Sequence, residues 1–590
     1  TTEEIQSFRQ WGSPTAGHPE LDVMRGIENT SGPLGQGHAF AAGAAIAAKF
    51  LKAHLGDVIG HKIYAFISDG GVQEEISQGV GRIAGHLGLN NLIMFYDSNN
   101  IQLSTTTGAV TSEDVAKKYE AWNWNVVTIN GNDADAIRKA LTDAKAETKR
   151  PTLIIGETIM GLGAVKADNS SFEHQVSTHG QPLSAAGADF AETVKHLGGN
   201  PDEPFAQFPE SVELYNKRKE ELKQIVAKKN EAYKQWAAAN PELAAKKERW
   251  FARELPQIDW AAIEQKPNDA TRNASASVLG VLAEQVDNMI VASADLSNSD
   301  KTDGFLKKTK ALTKDDFTGA FLQAGVSEFT MAALCIGMSL HGGVIPACGT
   351  FFVFSDYMKP TIRVAALMET PVIFVWTHDA FRVGEDGPTH QPVEQEAQIR
   401  LMEKLQNHSG RNSMLVLRPA DANEATVAWK LALENNNSPT GLIFSRQNIK
   451  DLPAIESRYE EALQANKGAY IVKDEADYDI ILLASGSEVA TLVEGAELLK
   501  ADGIKTRIVS VPSEGLFRAQ SKEYQDSVLP QGKKKFGMTA GLPVTLEGLV
   551  GSDGSVWGMN SFGFSAPYTV VDEKLGFNGK NVYEQVKKLI

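Results

Sequence analysis

Ile63-Tyr64-Ala65-Phe66-Ile67-Ser68-Asp69-Gly70-Gly71 is an apolar run that stops on a carboxylate and two glycines. Leu92-Ile93-Met94-Phe95-Tyr96-Asp97-Ser98-Asn99-Asn100-Ile101 repeats the pattern further along, with an amide where the first has an acid. Both runs read as buried strands, and the residues from about Gln73 to Leu87 between them carry a helical pattern. A strand–helix–strand unit sets its two strand ends side by side at the carboxyl edge of a parallel sheet, where ligands bind. Asp69 and Asn99 would there offer one carboxylate oxygen and one amide oxygen to a hard cation. A backbone carbonyl near Ile101 adds a third, and a diphosphate completes an octahedral Mg²⁺ shell. Gly70 and Gly71 let the backbone approach the phosphates. The competing reading is that Asp-Gly after a strand is a turn and nothing more.

Working outward, the 590 residues suggest roughly three to four domains. The hydrophobic content of 42% and charged content of 22% are those of a soluble globular protein. A net charge of −16 excludes a general attraction for nucleic acid or anionic membrane, so a phosphorylated substrate needs a local basic pocket. Cys335 and Cys348 lie in apolar surroundings and read as reduced thiols of a cytoplasmic protein. No apolar run has the length of a membrane span, and no signal peptide precedes Thr1. The sequence does not begin with Met and reads as one continued upstream.

Gly17-His18-Pro19-Glu20 comes early, followed by Gly32-Pro33-Leu34-Gly35-Gln36-Gly37, a glycine-rich loop opening a small-residue helix from Ala39 to Lys52. Such a loop suits a phosphate or a cofactor ring, and close helix packing through alanines is the alternative. Val126–Ile129, a helix from Asp133 to Ala146 and Thr152–Ile155 continue the alternation of a doubly wound α/β domain, assigned to residues 1–208. It ends in a loop with His174 and His179. Residues 209–267 are rich in Lys, Glu and Ala and read as a charged helical linker.

A second α/β block spans 268–455, with strands expected at Met289–Ala292, Val344–Ala347, Val372–Trp376, Met414–Leu417 and Leu442–Phe444. Polar residues gather at the strand ends: Asp295, His378 with Asp379, and Arg446 with Gln447-Asn448. Phe351, Phe354 and Tyr357 recur at helical spacing, as a core stripe or a cofactor box. Gly384-Glu385-Asp386-Gly387-Pro388-Thr389-His390-Gln391-Pro392 is a polar loop of the kind that carries function on a rigid sheet. A smaller C-terminal α/β domain, 456–590, has strands at Ile480–Leu483 and Thr506–Val509. Gly486 resembles a dinucleotide turn there, but the full fingerprint is missing, so a structural or dimer-contact role fits better.

Taken together, these motifs resemble the transketolases, thiamine diphosphate enzymes, from Phe8 to the C-terminus. The resemblance rests on Gly17–Glu20, Gly32–Gly37, Ser68-Asp69-Gly70 to Asn99, Gly325-Val326-Ser327-Glu328 and Gly384–Pro392, the last being the most specific. It implies two thiamine-diphosphate-binding doubly wound parallel-sheet domains plus the smaller third. It also implies reversible transfer of a two-carbon ketol unit, through the cofactor ylid, from a xylulose 5-phosphate type ketose to a ribose 5-phosphate type aldose in the pentose phosphate pathway. By the resemblance, Asp69, Asn99 and the Ile101 carbonyl would hold Mg²⁺ or Ca²⁺, and Gly32, Leu34, Gly70, Glu74 and His179 would line the cofactor. Glu328 would hydrogen-bond the aminopyrimidine among Phe351, Phe354 and Tyr357, with Asp295 behind the ring or at an interface. His18, His179 and His390 would meet the substrate's hydroxyls and carbonyl, and Asp386 a sugar hydroxyl. Arg272, Ser299, His378 and Arg446 would bind the terminal phosphate. The resemblance further implies a homodimer with active sites at the subunit interface.

Three departures stand out. Ser68 replaces the first glycine of a Gly-Asp-Gly, Ser327 stands where Arg is frequent, and Ala380-Phe381-Arg382 replaces a commoner Ser-Ile-Gly. The resemblance also implies a segment before Phe8, with two histidines of the substrate channel, that these residues do not include. The nearest alternatives are a deoxyxylulose phosphate synthase or a dihydroxyacetone synthase. From another class comes the non-catalytic half of a split transketolase.

Overall fold

A computed structural model describes residues 1–590, which form two compact units. The first comprises Thr1–Ala252 with the short pieces Thr313–Phe317 and Leu340–Gly343. Its sheet has four strands, β1 (Ile63–Ser68), β2 (Leu92–Ser98), β3 (Asn125–Asn130) and β4 (Thr152–Glu157), all parallel in the order β1-β2-β4-β3. Ser68 pairs with Asp97 in register, so Asp69 and Asn99 emerge at the same edge. The crossover is not one helix from Gln73 to Leu87. It is a short turn of helix, Asp69–Gln73, and a second helix, Glu75–His86, broken where Glu74 takes an extended ψ of 139°.

The reading of Ile63–Ile67 as a fully buried strand needs correction. β1 lies at the sheet's edge, and its exposure alternates, with Tyr64 and Phe66 facing outward. An edge strand has one neighbour and here one covered face, so its apolar run does not report burial on both sides. The covering helix Gln36–Leu55 is buried along most of its length, its alanines letting it lie close to the sheet. The helices Pro209–Ala239 and Pro241–Phe251 both start on proline, which suits the first helical turn, and the longer one buries none of its residues.

The second unit comprises Arg253–Leu312, Thr318–Ser339 and Val344–Ile590, and holds two sheets. One has β5 (Met289–Ser293), β6 (Phe321–Gln323), β7 (Ile345–Phe351), β8 (Ile373–Thr377), β9 (Leu415–Leu417) and β10 (Thr440–Phe444), parallel in the order β6-β5-β7-β8-β10-β9. The other has β11 (Tyr470–Asp474), β12 (Ile480–Ala484), β13 (Thr506–Ser510), β14 (Lys534–Met538) and β15 (Ser555–Trp557), in the order β11-β13-β12-β14-β15. Only β11 runs antiparallel there. β5, β7, β8 and β10 are buried on both faces, as the central strands of a doubly wound sheet must be. No helix of the protein is long and apolar enough to cross a membrane.

Candidate active site

In the first unit the residues converge on the end of β1. Asp69 is 2% exposed, yet both its oxygens keep acceptor capacity. Oδ1 accepts from the Tyr96 hydroxyl at 2.6 Å and Oδ2 from the Asn99 backbone N–H at 3.1 Å. A carboxylate has about four lone-pair sites, so a cation still finds free ones here. Asn99 Oδ1 accepts from the Ile101 N–H at 3.0 Å, which orients its amide. Asn100, between them, is left-handed at φ 63° and folds the loop back. Burial and the Asp69 carboxylate both push the Tyr96 phenol up, so it remains a donor. Ser68, the departure from the expected glycine, has work of its own: its hydroxyl caps the turn by accepting from the Gly71 N–H at 3.3 Å.

The glycine-rich loop closes on the same point. A Cβ on Gly70 would sit 3.0 Å from Leu34 Cδ1, and one on Gly35 would strike Ile76 at 2.4 Å and Glu74 at 3.0 Å. Gly32 in turn lies against the His18 side chain. The glycine-rich loop thus meets Gly70, beside Asp69, through Leu34, Glu74 through Gly35 and His18 through Gly32. His179 is exposed, and the neighbouring Gly180 faces Leu103, in the loop that leaves Asn99 and Ile101. Diphosphate needs close backbone approach and a cation, and this donor set fits both.

In the second unit, Glu328 begins the helix Glu328–His341 and is 9% exposed, so burial raises its carboxyl above the usual range. The aromatic stripe is not helical throughout. Phe351 ends β7, Phe354 closes a turn of 3₁₀ helix, and Tyr357 lies in the helix Ser355–Leu367. The three rings still meet in a chain: Phe351 stacks on Phe354 at 6.0 Å, and Phe354 meets Tyr357 at 6.1 Å. The chain also collects two of the expected substrate residues. His378 stacks on Phe351 at 3.6 Å, and His390 meets Phe354 edge-on at 5.5 Å. Tyr357 remains 62% exposed, an aromatic surface open to a flat ring.

A cationic corner adjoins this cluster. Arg272 Nη1 donates to the Ser299 carbonyl at 2.9 Å and lies 3.4 Å from His378 Nε2. Burial, then the charge of Arg446, lowers the Arg272 guanidinium. Its Nε is buried with no hydrogen-bond partner. Burial, with Arg272, Arg446 and His390 adding to it, takes His378 down to about 2, so it is neutral at ordinary pH. Two guanidiniums near each other, neither in a salt bridge, make a site for an anion. Asp295 is exposed at a loop position with a left-handed backbone at φ 63°, and Asp386 is exposed at the end of the 3₁₀ element Phe381–Asp386, so the stretch expected as a polar loop from Gly384 begins inside that element. Sequence reasoning did not single out Tyr96 as a site residue. It also missed the stacking of His378 on Phe351. Tyr96 reads as one more core aromatic of a strand, and a stacking between strand ends has no local pattern.

Family models cover most of the chain: transketolase thiamine diphosphate binding domain over residues 1–256, transketolase pyrimidine binding domain over 268–451, and a transketolase-like C-terminal domain over 468–578. The transketolase of Halalkalibacterium halodurans is 40% identical over 604 aligned positions, covering 100% of this chain and 87% of the relative. The chain belongs to the transketolase family. Its structure agrees with that of the Leishmania mexicana transketolase at a TM-score of 0.92 and 33% identity, over 100% of this chain and 85% of that one. It agrees with a Pichia stipitis transketolase solved with sedoheptulose 7-phosphate at 0.88 and 34% identity, with the same coverage. As a transketolase the protein is a thiamine diphosphate-dependent transferase, and the resemblance seen in its motifs extends through all three matched regions. The deoxyxylulose phosphate synthase, dihydroxyacetone synthase and split-enzyme readings are not favoured.

Proposed function

We propose that the protein transfers a two-carbon ketol unit from a xylulose 5-phosphate type ketose to a ribose 5-phosphate type aldose, as a cytoplasmic homodimeric enzyme of the pentose phosphate pathway. The observation that carries the phosphate end is the bare cationic corner of Arg272 and Arg446 beside neutral His378. In a chain of charge −16, two neighbouring guanidiniums that make no salt bridge supply the local positive charge that a phosphate needs. A Pichia stipitis relative binds a sugar phosphate, which supports the same substrate class.

Asp69 and Asn99, with the Ile101 carbonyl, would hold Mg²⁺ or Ca²⁺ on the diphosphate, with Gly32, Leu34, Gly70, Glu74 and His179 around it. When bound, thiamine diphosphate supplies a nucleophilic carbon that carries the two-carbon unit between sugars. Glu328 would keep a proton for the pyrimidine ring, which its burial favours. Phe351, Phe354 and Tyr357 would flank that ring and exclude water, with Asp295 nearby. His18, His179 and His390 would orient the substrate's hydroxyls and carbonyl, and Asp386 would accept from a sugar hydroxyl. Ser299 positions Arg272 through its carbonyl oxygen. The buried, unlinked thiols Cys335 and Cys348 fit a reducing compartment.

Arg446→Ala tests the reading. Hydrogen bonds to charged groups contribute roughly 1.5–3 kcal/mol each, so kcat/KM for a ketose phosphate should fall about 10-fold or more. That for hydroxypyruvate, which has no phosphate, should hold. Both activities should require thiamine diphosphate and a divalent cation. Equal losses on the two donors would remove the phosphate from this corner.

A further inference from the structure

The loop from His378 to Gln391 holds the residues assigned above to the phosphate and the sugar, and it begins under strain. His378 has φ 62°, a left-handed backbone that a residue with a Cβ adopts only when its surroundings impose it. The next residue is tied to the C-terminal domain through Arg418. Asp379, next in the chain and buried, accepts from Arg418 at 2.7 Å (Nη2) and 3.2 Å (Nε). Arg418 is 1% exposed and leaves the end of β9. Its Nη1 donates to Glu488 Oε2 at 2.5 Å and to the Ser485 carbonyl at 3.2 Å, both beyond β12. Gly486, which the sequence offers as a dinucleotide turn, is bare because Arg418 fills the space: a Cβ there would sit 2.7 Å from Arg418 Nε.

Glu488 holds a second guanidinium. Its Oε1 accepts from Arg382 Nη1 at 2.6 Å, and Arg382 Nε donates to Asp572 Oδ1 at 2.7 Å. Arg382 is the residue at which the loop departs from the expected glycine. Further along, Gln391 Nε2 bridges the Gly384 carbonyl (2.9 Å) and the Phe564 carbonyl (3.0 Å), and the Ser565 hydroxyl donates to the Glu385 carbonyl at 2.6 Å. The loop is therefore fastened to helices and connections of the C-terminal domain in its middle and at its end, and at its start through Arg418. One carboxylate, Glu488, receives both arginines.

We infer that Glu488 is a positioning residue for the transferase reaction: through Arg418 and Asp379 it fixes His378, and so the C-terminal domain sets the geometry of the phosphate corner. This rests on the assignment of Arg272, His378 and Arg446 to the phosphate. Charge, burial and direction agree. Arg418, just past β9, reaches both Asp379 and Glu488 with one planar fork, and its Nη1 also lies 3.4 Å from Glu396 Oε2. His378 is thereby presented to Arg272 Nη1 at 3.4 Å while its ring lies flat on Phe351.

The test is Glu488→Gln, which keeps the shape and removes the charge, with Arg418→Lys as a second variant in case the first does not fold. Lysine keeps the charge but cannot serve Asp379 and Glu488 together. Measured well below the melting temperature, KM for a ketose phosphate should rise, on the order of 10-fold or more for a displacement of about an ångström. Thiamine diphosphate affinity and the KM for hydroxypyruvate should stay near those of the unmodified enzyme. Unchanged kinetics with a lowered Tm would make the network a purely structural clasp and overturn the inference, as would equal losses on both donors. Arg446→Ala, run alongside, separates the two claims. If it fails to discriminate the donors, the phosphate assignment falls. If it discriminates and the Glu488 and Arg418 variants do not, only the positioning role falls.

Discussion

Tyr96 holds Asp69, the proposed cation ligand, with one hydrogen bond. The carboxylate sits at the mouth of a turn whose N–H groups favour its charge, and Tyr96 fixes Oδ1 from the neighbouring strand at 2.6 Å. A phenol held as a donor does not compete with the metal for lone pairs, because it uses one of about four. Partners of this kind usually change metal affinity by about 10–100-fold when removed. Tyr96→Phe should therefore raise the Mg²⁺ concentration needed for half-maximal thiamine diphosphate binding by about that factor, leaving maximal binding intact. Titration of the divalent ion, followed by the cofactor's circular dichroism or by protein fluorescence, reads this directly. An unmoved midpoint would mean that Asn99 N–H alone orients the carboxylate. Asp69 and Asn99 stand out in the sequence as polar residues following apolar runs. Tyr96 does not, since it belongs to the continuous apolar run Leu92–Tyr96 and looks like the core residues beside it.

The helix Glu75–His86 lies between β1 and β2, the strands that lead to Asp69 and Asn99, and its packing is written in glycines. A Cβ on Gly81 would lie 2.5 Å from the Trp122 ring, and one on Gly85 would lie 1.7 Å from the Trp122 carbonyl oxygen. Trp124, fully buried, donates its indole N–H to the Gly81 carbonyl at 2.8 Å, so the contact is bonded as well as close. Ala is favoured over Gly in a helix by about 1 kcal/mol. Overpacking a tight site costs typically about 1–3 kcal/mol, and more where backbone must move. Gly85→Ala should thus lower the melting temperature despite its better helix propensity, and it should weaken cofactor binding by shifting β1 against β2. A stability equal to or above the parent's would show that the Trp122 backbone yields freely. At this scale the sequence was readable where elements were long. It placed the central strands β5, β8 and β12, whose apolar runs are continuous, and also β10 and β13. It missed β6 and β15, each three residues long, which are strands only because a neighbour pairs with them, and it missed β11 and β14, whose short apolar runs are cut by lysine, aspartate or glycine. It also read Phe351 to Tyr357 as one helix, since spacing at i, i+3, i+6 is kept by a strand end that turns through 3₁₀ into a helix.

At the scale of the molecule, the cofactor demands residues that the chain distributes widely. Asp69 and Asn99, the proposed cation ligands, stand at strand ends of the first unit, and Glu328 with the Phe351–Tyr357 rings lies in the second unit. Diphosphate and pyrimidine are covalently joined, so one thiamine diphosphate must meet both sets. In the homodimer proposed here, the two sets at each site come from different chains, and a two-fold axis then makes two equivalent sites at one interface. The arrangement has a consequence that a site built within one chain lacks. Asp69→Ala leaves the diphosphate end of every site without its carboxylate, and Glu328→Ala leaves the pyrimidine end without its acid, so each variant alone should be inactive. When the two variants are mixed under conditions of subunit exchange, a heterodimer has one site with both defects and one with neither. Activity should return in proportion to the heterodimer, to a limit of one working site in each. The heterodimer population is measured independently, by native mass spectrometry or by differential tagging of the two chains. Sites assembled within single chains would each keep one defect after exchange, so an inactive mixture with heterodimers demonstrably present would exclude the shared site.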